Sequence, residues 1–284
     1  MASRRHVRQA AVQVLYARFA SPGDQGGPEF WDLVNDKAGL TYDRARVKIL
    51  AHLQQGREAA ATKLLKVLTD SSAAILAADP SEKFAKEIKG LCVAELKWAE
   101  KCGNLVRLTK ADTGGWQRDL HKLLPESDEL RKKRALLLPQ TEPFPPLQHE
   151  ALKDSFEKLD NYDERARMVR FPEKYPEQRD LDHLHRLKKD MKTLEEQASE
   201  QADQVEAAIP EIDETIDKAS ENFDINRLSK VDLAILRLAT WEILKLPDLD
   251  AAVSINEAID LARSFSGEDS ASYVNGVLDK IAKN

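Results

Sequence analysis

The sequence contains few cysteines, which form disulfides and bind zinc, and no long apolar run of the kind that crosses a membrane. Only 2 of its 284 residues are cysteine, Cys92 and Cys102, and no CxxC pair occurs. This argues against a disulfide scaffold and a zinc framework, and it is typical of a reducing cytosol. The N-terminus has no apolar signal-peptide core, and the longest apolar run, 73–78, is too short for a membrane span. We therefore expect a cytoplasmic protein with no membrane partner.

Motifs of common enzyme classes are also missing from the sequence. It contains no GxGxxG turn with strand–helix alternation, no HExxH and no GxSxG. His183 and His185 are two residues apart, so they do not share one face of a helix. The sequence therefore favours a protein that is not an enzyme and that needs no metal ion or cofactor.

The residues that are abundant favour helices. Aromatic residues make up 6% of the chain and charged residues 32%, with many Ala, Leu, Glu and Lys. Apolar residues recur at helical spacing, and no strand pattern of useful length occurs. Helices are predicted over about 3–20, 29–37, 41–78, 81–102, 147–168, 179–221, 229–246, 251–264 and 269–282. The predicted fold class is all-α.

Prolines mark the stretch that we expect to be least ordered, residues 125–146. Five prolines and the run Arg131–Arg134 predict a linker or an extended surface loop there. The charge run is typical of a solvated surface, and an extension of a nucleic-acid surface is the alternative. Gly103 is expected to end one helix, and Pro210 to break or kink another.

The net charge of −6 is unevenly distributed along the chain. Residues 1–20 contain four arginines and no acidic residue. At 100° per residue, Arg4, Arg5 and Arg8 are predicted to share an arc of the first helix, away from its apolar stripe. Because the whole chain is acidic, a nucleic-acid site must be a local patch of this kind.

The C-terminal region predicts three compact helices. Ser229 and Asp232 have the spacing of a capping box, and the following helix is apolar on nearly all sides, which predicts a buried position. Asp269 suits the positive start of the last helix. Tyr273 falls at the edge of the last apolar stripe, where a core tyrosine and a base-stacking tyrosine are both open.

Two segments resemble the NusB family of RNA-binding transcription antitermination factors. They are RRHVRQAAVQVLYARF at 4–19 and the region that runs from FDINRLSKVDLAILRLATWEIL through SINEAIDLARSF to YVNGVLDKIA at 223–282. The resemblance implies a NusB-like helical bundle that binds boxA-type single-stranded RNA with ribosomal protein NusE. It also implies a place in the RNA polymerase antitermination complex that reads through ribosomal RNA operons. Family members occur as monomers and dimers, so a homodimer is a further expectation.

The resemblance also assigns residues to these partners. It implies five RNA-binding residues: Arg4, Arg5, Arg8, Asp269 and Tyr273. It implies two residues on the side that meets NusE: Tyr16 and Asp232.

The resemblance divides the chain into three parts. Residues 1–37 and 186–284 are expected to form the bundle, with the arginine-rich helix in the first part. Residues 38–185 have no counterpart in the family and are expected to be a large, mainly helical insertion. Two alternatives remain open: a NusB-fold scaffold that binds proteins through its insertion, and an RNA-binding domain of an RNA-modification system.

Overall fold

The computed structural model describes residues 3–21, 27–73, 83–111, 114–220, 225 and 228–283. Within these ranges the chain forms twelve α-helices and no strand, which confirms the all-α prediction. Among the described residues, no helix is long and apolar enough to cross a membrane.

In chain order, the α-helices are α1 (Arg4–Ala20), α2 (Pro28–Lys37), α3 (Tyr42–Leu53), α4 (Arg57–Asp70), α5 (Lys83–Ala111), α6 (Trp116–Leu137), α7 (Pro146–Arg170), α8 (Asp182–Ala207), α9 (Ile209–Ala219), α10 (Lys230–Lys245), α11 (Ala251–Phe265) and α12 (Glu268–Lys283). Short 3₁₀ helices occupy Leu138–Thr141, Pro172–Lys174 and Arg179–Leu181.

The chain divides into two compact units with separate cores. Unit 1 consists of Met1–Leu40 with Lys188–Asn284, and unit 2 consists of Thr41–Leu187. Each unit encloses its own cluster of buried apolar side chains. The interpretation of residues 38–185 as an insertion stays a prediction, because contacts define compact units and not their ancestry.

The helix starts of unit 1 follow the predicted capping chemistry. The Ser3 hydroxyl accepts the backbone N–H of His6 at 3.3 Å, and the Ser229 hydroxyl accepts the backbone N–H of Asp232 at 3.0 Å. Each satisfies a donor that the first turn of a helix leaves unpaired. The cap predicted at Ser229 is therefore confirmed, and Ser3 caps α1 in the same way.

Helix α10 is the central helix of unit 1. It packs against α1, α9, α11 and α12, and its apolar side chains are buried nearly all round, as predicted. The predicted break near Pro210 is also confirmed, because α8 ends at Ala207 and α9 begins at Ile209. Pro210 lies in the first turn of α9, where its missing N–H removes no helical hydrogen bond.

The prediction of a loop over 125–146 is wrong. Helix α6 runs through Pro125 to Leu137, a 3₁₀ turn follows, and only residues 142–145 lie outside helices. Helix α6 buries a leucine stripe: Leu120, Leu123, Leu124, Leu130 and Leu137. Burial of each leucine contributes about 1.5–3 kcal/mol, so the stripe outweighs the roughly 3 kcal/mol that an interior proline costs.

The prediction that Gly103 ends a helix is also wrong. Helix α5 continues through it to Ala111 and buries Trp98, Cys102 and Leu105. A glycine inside a helix costs only about 1 kcal/mol relative to alanine, which this burial exceeds. The predicted helix at 41–78 is two helices, α3 and α4, and residues 74–78 lie outside the described residues.

A buried ion cluster joins the helices of unit 2. The Arg57 guanidinium lies 2.7 Å from the carboxylates of both Glu95 and Asp163, and the Arg134 guanidinium pairs with the same two carboxylates. Each of these four side chains is no more than 1% exposed. The solvated surface predicted for the run 131–134 is therefore wrong for Arg134, whose charge is neutralised in the core of unit 2.

Candidate nucleic-acid interface

A line of exposed ion pairs connects the start of α1 to the start of α12. Arg5 Nη2 lies 3.2 Å from Asp260 Oδ2, and Asp260 Oδ1 lies 3.3 Å from Arg263 Nη1. Arg263 Nε then donates to Glu268 Oε1 at 2.7 Å. We call these four residues the charge ladder. Because the ladder ends beside Asp269, the structure brings Arg5 and the predicted RNA-facing turn onto one surface.

The Arg5–Asp260 pair is open to solvent, which leaves Arg5 available to a ligand. The Arg5 side chain is 56% exposed and that of Asp260 is 42% exposed. Ion pairs of this exposure contribute only about 0–1 kcal/mol. Arg5 Nε also lies 4.0 Å from Glu257 Oε2. A phosphate can replace either carboxylate as the partner of Arg5 at little cost.

Arg4 occupies the same first turn of α1 and is exposed. No acidic side chain among the described residues lies within ion-pair distance of its guanidinium. Arg4 and Arg5 together give this turn two cationic side chains that are open to solvent. Phosphate contacts by such side chains supply affinity that falls with salt.

Arg8 is placed differently from Arg4 and Arg5. Its Nε donates to Glu242 Oε1 at 2.7 Å, and its side chain is 8% exposed. The prediction that all three arginines share one exposed arc is therefore wrong for Arg8, which lies on the buried face with Ala11 and Leu15. The phosphate contact expected of Arg8 stays a prediction, and Glu242 holds its guanidinium in this structure.

The spacing of the residues around Arg8 contains a signal that indicates its burial. Arg8, Ala11 and Leu15 are three and four residues apart, which places the arginine on the apolar stripe. Glu242 is an acidic residue within the apolar helix α10. Because a buried charge needs a partner of opposite sign, the two positions were candidates for a buried pair.

Asp269 and Tyr273 lie one turn apart on α12, so they share a face of this helix. Asp269 is exposed, whereas Tyr273 is half-buried and packs against the core of unit 1. The Tyr273 hydroxyl donates to Ser220 Oγ at 3.3 Å. The position at the edge of the core is as predicted, and base stacking by Tyr273 stays a prediction.

The two residues assigned to the NusE side differ in accessibility. Tyr16 on α1 is 42% exposed, whereas Asp232 on α10 is 8% exposed. The hydroxyls of Ser229 and Ser270 donate to Asp232 Oδ2 at 2.7 and 3.1 Å, which ties the start of α10 to the start of α12. Tyr16 therefore offers a contact surface, and Asp232 supports the fold. Their roles towards NusE stay predictions.

The cysteines take part in no cross-link. Cys92 and Cys102 are buried free thiols. In the described ranges, no group of three or more His, Cys, Asp or Glu side chains is arranged to hold a metal ion.

Unit 1 thus consists of packed helices with an exposed arginine pair and the charge ladder. Most of unit 1 lies in the part of the chain that matches known proteins. Residues 164–283 match the model of the NusB family, which confirms the resemblance for the C-terminal part. The chain therefore carries a NusB-family domain over these residues. The match begins within α7, and α1 lies outside it.

Individual relatives match the same region. The transcription antitermination protein NusB of Natranaerobius thermophilus is 54% identical over 77 residues, which are 27% of this chain and 55% of that protein. The protein of the same name from Acetivibrio thermocellus is 52% identical over 73 residues, 26% of this chain and 50% of that protein. That from Sorangium cellulosum is 42% identical over 87 residues, 29% of this chain and 62% of that protein. The chain spans about half the length of the curated relatives it matches. No solved structure matches the chain.

Proposed function

We propose that the protein is a transcription antitermination factor that binds boxA-type single-stranded RNA together with ribosomal protein NusE. In this role it promotes read-through of ribosomal RNA operons by RNA polymerase in the cytoplasm. The NusB-family domain at 164–283 and relatives named transcription antitermination protein support the proposal. The activity is binding and not catalysis, so it requires no catalytic residue or cofactor.

One geometric observation carries the RNA-binding part of the proposal. The charge ladder joins the exposed Arg5 to the first turn of α12, which carries Asp269. Tyr273 lies one turn further along the same helix. Proteins that bind single-stranded RNA combine cations for the phosphates with an aromatic ring on which a base stacks. This surface offers the cations at the start of α1 and the aromatic ring of Tyr273 near the start of α12.

The balance of charge supports a local site. The whole chain has a net charge of −6, so it does not attract nucleic acid by its overall field. Arg4 and Arg5 must therefore act at short range, where exposed guanidinium groups pair with phosphate oxygens. This arrangement predicts modest affinity for RNA alone and a clear dependence on salt.

The test is a binding measurement by fluorescence anisotropy. Labelled boxA RNA and a scrambled RNA of the same composition are titrated with the full chain, at two salt concentrations and with or without NusE. The variants are Arg5→Glu and Lys66→Glu, which change the net charge equally, and Lys66 is an exposed residue of α4 in unit 2. We expect preference for boxA, loss of affinity and a flatter salt dependence in Arg5→Glu only, and tighter binding with NusE.

Three results would contradict the proposal. Equal affinity for boxA and scrambled RNA would exclude boxA recognition. Equal loss of affinity in both variants would show that net charge decides binding and that the α1 surface does not. Binding of NusE without any RNA binding would favour the protein-interaction scaffold.

A further inference from the structure

A second cationic surface lies in unit 2, in an open groove between α6 and α7. The groove has a volume of about 530 Å³. Four cationic side chains line it: Arg131, Lys132, Arg167 and Arg170. Two carboxylates line it: Asp128 and Glu129. With Glu164, which pairs with Arg131 from outside the lining, four cations face three carboxylates, and one excess positive charge remains. We call it the basic groove.

Three of the four cations have acidic partners, and all three pairs are accessible to solvent. Arg170 Nη1 lies 2.6 Å from Asp128, and Lys132 Nζ lies 2.7 Å from Glu129. The third pair joins Arg131 to Glu164, at 3.2 Å. Accessible pairs of this kind contribute about 0–1 kcal/mol, so a ligand phosphate can displace the carboxylates.

Arg167 adds charge that nothing in the described part of the chain neutralises. Its side chain is exposed, and no described carboxylate lies within ion-pair distance of it. Burial raises the pKa of Tyr175, as does its hydrogen bond to Glu164, while Arg167 and Arg131 oppose the rise. Both guanidinium groups line the same groove.

Phe171 holds two cationic side chains next to this groove. Its ring centroid lies 4.7 Å from the Arg170 guanidinium and 4.7 Å from Lys174 Nζ. Cation–π contacts at exposed sites contribute about 0.5–1 kcal/mol each, which restrains these flexible side chains. The positive charge is therefore partly fixed in position before any ligand binds.

We propose that the basic groove binds the phosphates of single-stranded RNA, as a second RNA-contacting surface besides that of unit 1. Three of its four cations are arginines, whose planar forks match phosphate oxygens. The choice of RNA as the ligand rests on the proposed function. A second surface on the same chain makes the second contact intramolecular, so it favours RNA that extends beyond boxA.

The test uses an alanine pair and a matched control pair in the full chain. Arg131→Ala/Arg167→Ala removes two charges from the groove, and Lys66→Ala/Lys89→Ala removes two from exposed positions elsewhere in unit 2. Anisotropy titrations use a short RNA that contains only boxA and a longer RNA with single-stranded flanks. Circular dichroism checks that every variant is folded.

We expect the groove variant to bind the long RNA on the order of tenfold more weakly than the wild type does. Its salt dependence for the long RNA should be flatter by about 1.4 in slope, the value for two lost single-strand phosphate contacts. Affinity for the short RNA should be unchanged, and the control variant should match the wild type with both RNAs.

The outcomes separate this proposal from the proposed function. If Arg5→Glu weakens boxA binding while the groove variant binds the long RNA like the wild type, the basic groove is not an RNA site and the proposed function stands. If boxA is not preferred but the groove variant still loses affinity for long RNA in an Arg5→Glu background, the groove stands and the proposed function fails. A titration with polyglutamate tests whether the groove prefers acidic polypeptides. If the groove variant loses polyglutamate binding but binds the long RNA with full affinity, the proposal is overturned.

Discussion

Arg8 and Glu242 form a buried ion pair that joins the first helix of unit 1 to its central helix. Arg8 Nε donates to Glu242 Oε1 at 2.7 Å, and the Ser254 hydroxyl donates to Glu242 Oε2 at 2.6 Å. Helices α1, α10 and α11 therefore meet at one carboxylate. Because Arg8 lies one turn after Arg4, the pair also fixes the helix turn that carries the exposed arginines of the proposed RNA site.

Replacement of Glu242 by alanine should destabilise unit 1 strongly. It leaves the Arg8 charge buried without a partner, which typically costs about 3–5 kcal/mol. Urea unfolding should show this loss, whereas Glu196→Ala, at an exposed position of α8, should change stability by less than about 0.5 kcal/mol. The double variant Arg8→Met/Glu242→Met should recover much of the loss. A small effect of Glu242→Ala would mean that water or another side chain solvates Arg8.

Neutralisation of Asp260 should strengthen RNA binding. Asp260 pairs with Arg5 and with Arg263, so it competes with a phosphate for both guanidinium groups. We expect Asp260→Asn to raise affinity for boxA RNA by a few-fold, because one surface pair contributes about 0–1 kcal/mol. Asp248→Asn, an exposed residue in the turn before α11, changes the net charge equally and should have little effect. If both variants gain equally, the effect is one of net charge and not of the ladder.

The helices of unit 1 could be predicted because their signals are local. The cap at Ser229 and the apolar residues of α10 are contiguous in the sequence, and the predicted 229–246 agrees with the observed Lys230–Lys245 within a residue. Such agreement is expected where propensity, capping and periodicity favour the same structure.

The charged contacts could not be predicted because their partners are far apart in the sequence. Arg8 and Glu242 are separated by 234 residues, and Arg57 and Glu95 by 38. A local pattern shows that Arg134 belongs to a charged run, but only the packing of α6 against α5 and α7 shows that it is buried. The helix through Pro125 could not be predicted for the same reason. Burial of its leucines against other helices outweighs the local preference of proline against a helix interior.

The two cysteines should make the stability of unit 2 depend on pH in the alkaline range. Burial raises the pKa of Cys92 and of Cys102 from 9.0 to about 11. Between these values the unfolded chain releases thiol protons that the folded chain retains, so the free energy of unfolding falls as pH rises. Below pH 9.0 this contribution is fully present, and it amounts to at most about 3 kcal/mol for each thiol.

A comparison with Cys92→Ala/Cys102→Ala isolates this contribution. Tyrosines and lysines titrate in both proteins, so the difference in slope between the two reports the thiols alone. Urea unfolding should show a steeper fall in the wild type between pH 9.0 and about 11. Parallel slopes would mean that the thiols titrate in the folded state as they do in the unfolded chain.

Two glycines of unit 2 should respond to alanine in opposite directions. Gly56 has a φ of 90°, and a Cβ there would lie 2.6 Å from the Tyr162 hydroxyl oxygen. Gly56→Ala should therefore destabilise unit 2 by more than about 1 kcal/mol. Gly90 lies inside α5 with open space around it, so Gly90→Ala should stabilise unit 2 by up to about 1 kcal/mol. Thermal unfolding of both variants tests the pair, and equal shifts would contradict the backbone geometry of Gly56.

The aromatic ring of Tyr273 should matter for RNA binding and its hydroxyl should not. Tyr273 is half-buried on α12, one turn after Asp269, and its hydroxyl donates to Ser220 at 3.3 Å. Loss of base stacking typically costs about 1–3 kcal/mol, so Tyr273→Ala should weaken boxA binding on the order of tenfold or more. Tyr273→Phe keeps the ring and should bind like the wild type. Because Tyr273 also packs against the core, unfolding of both variants must be measured alongside binding. If Tyr273→Ala is less stable but binds boxA RNA with full affinity, the tyrosine is a core residue and stacking is excluded.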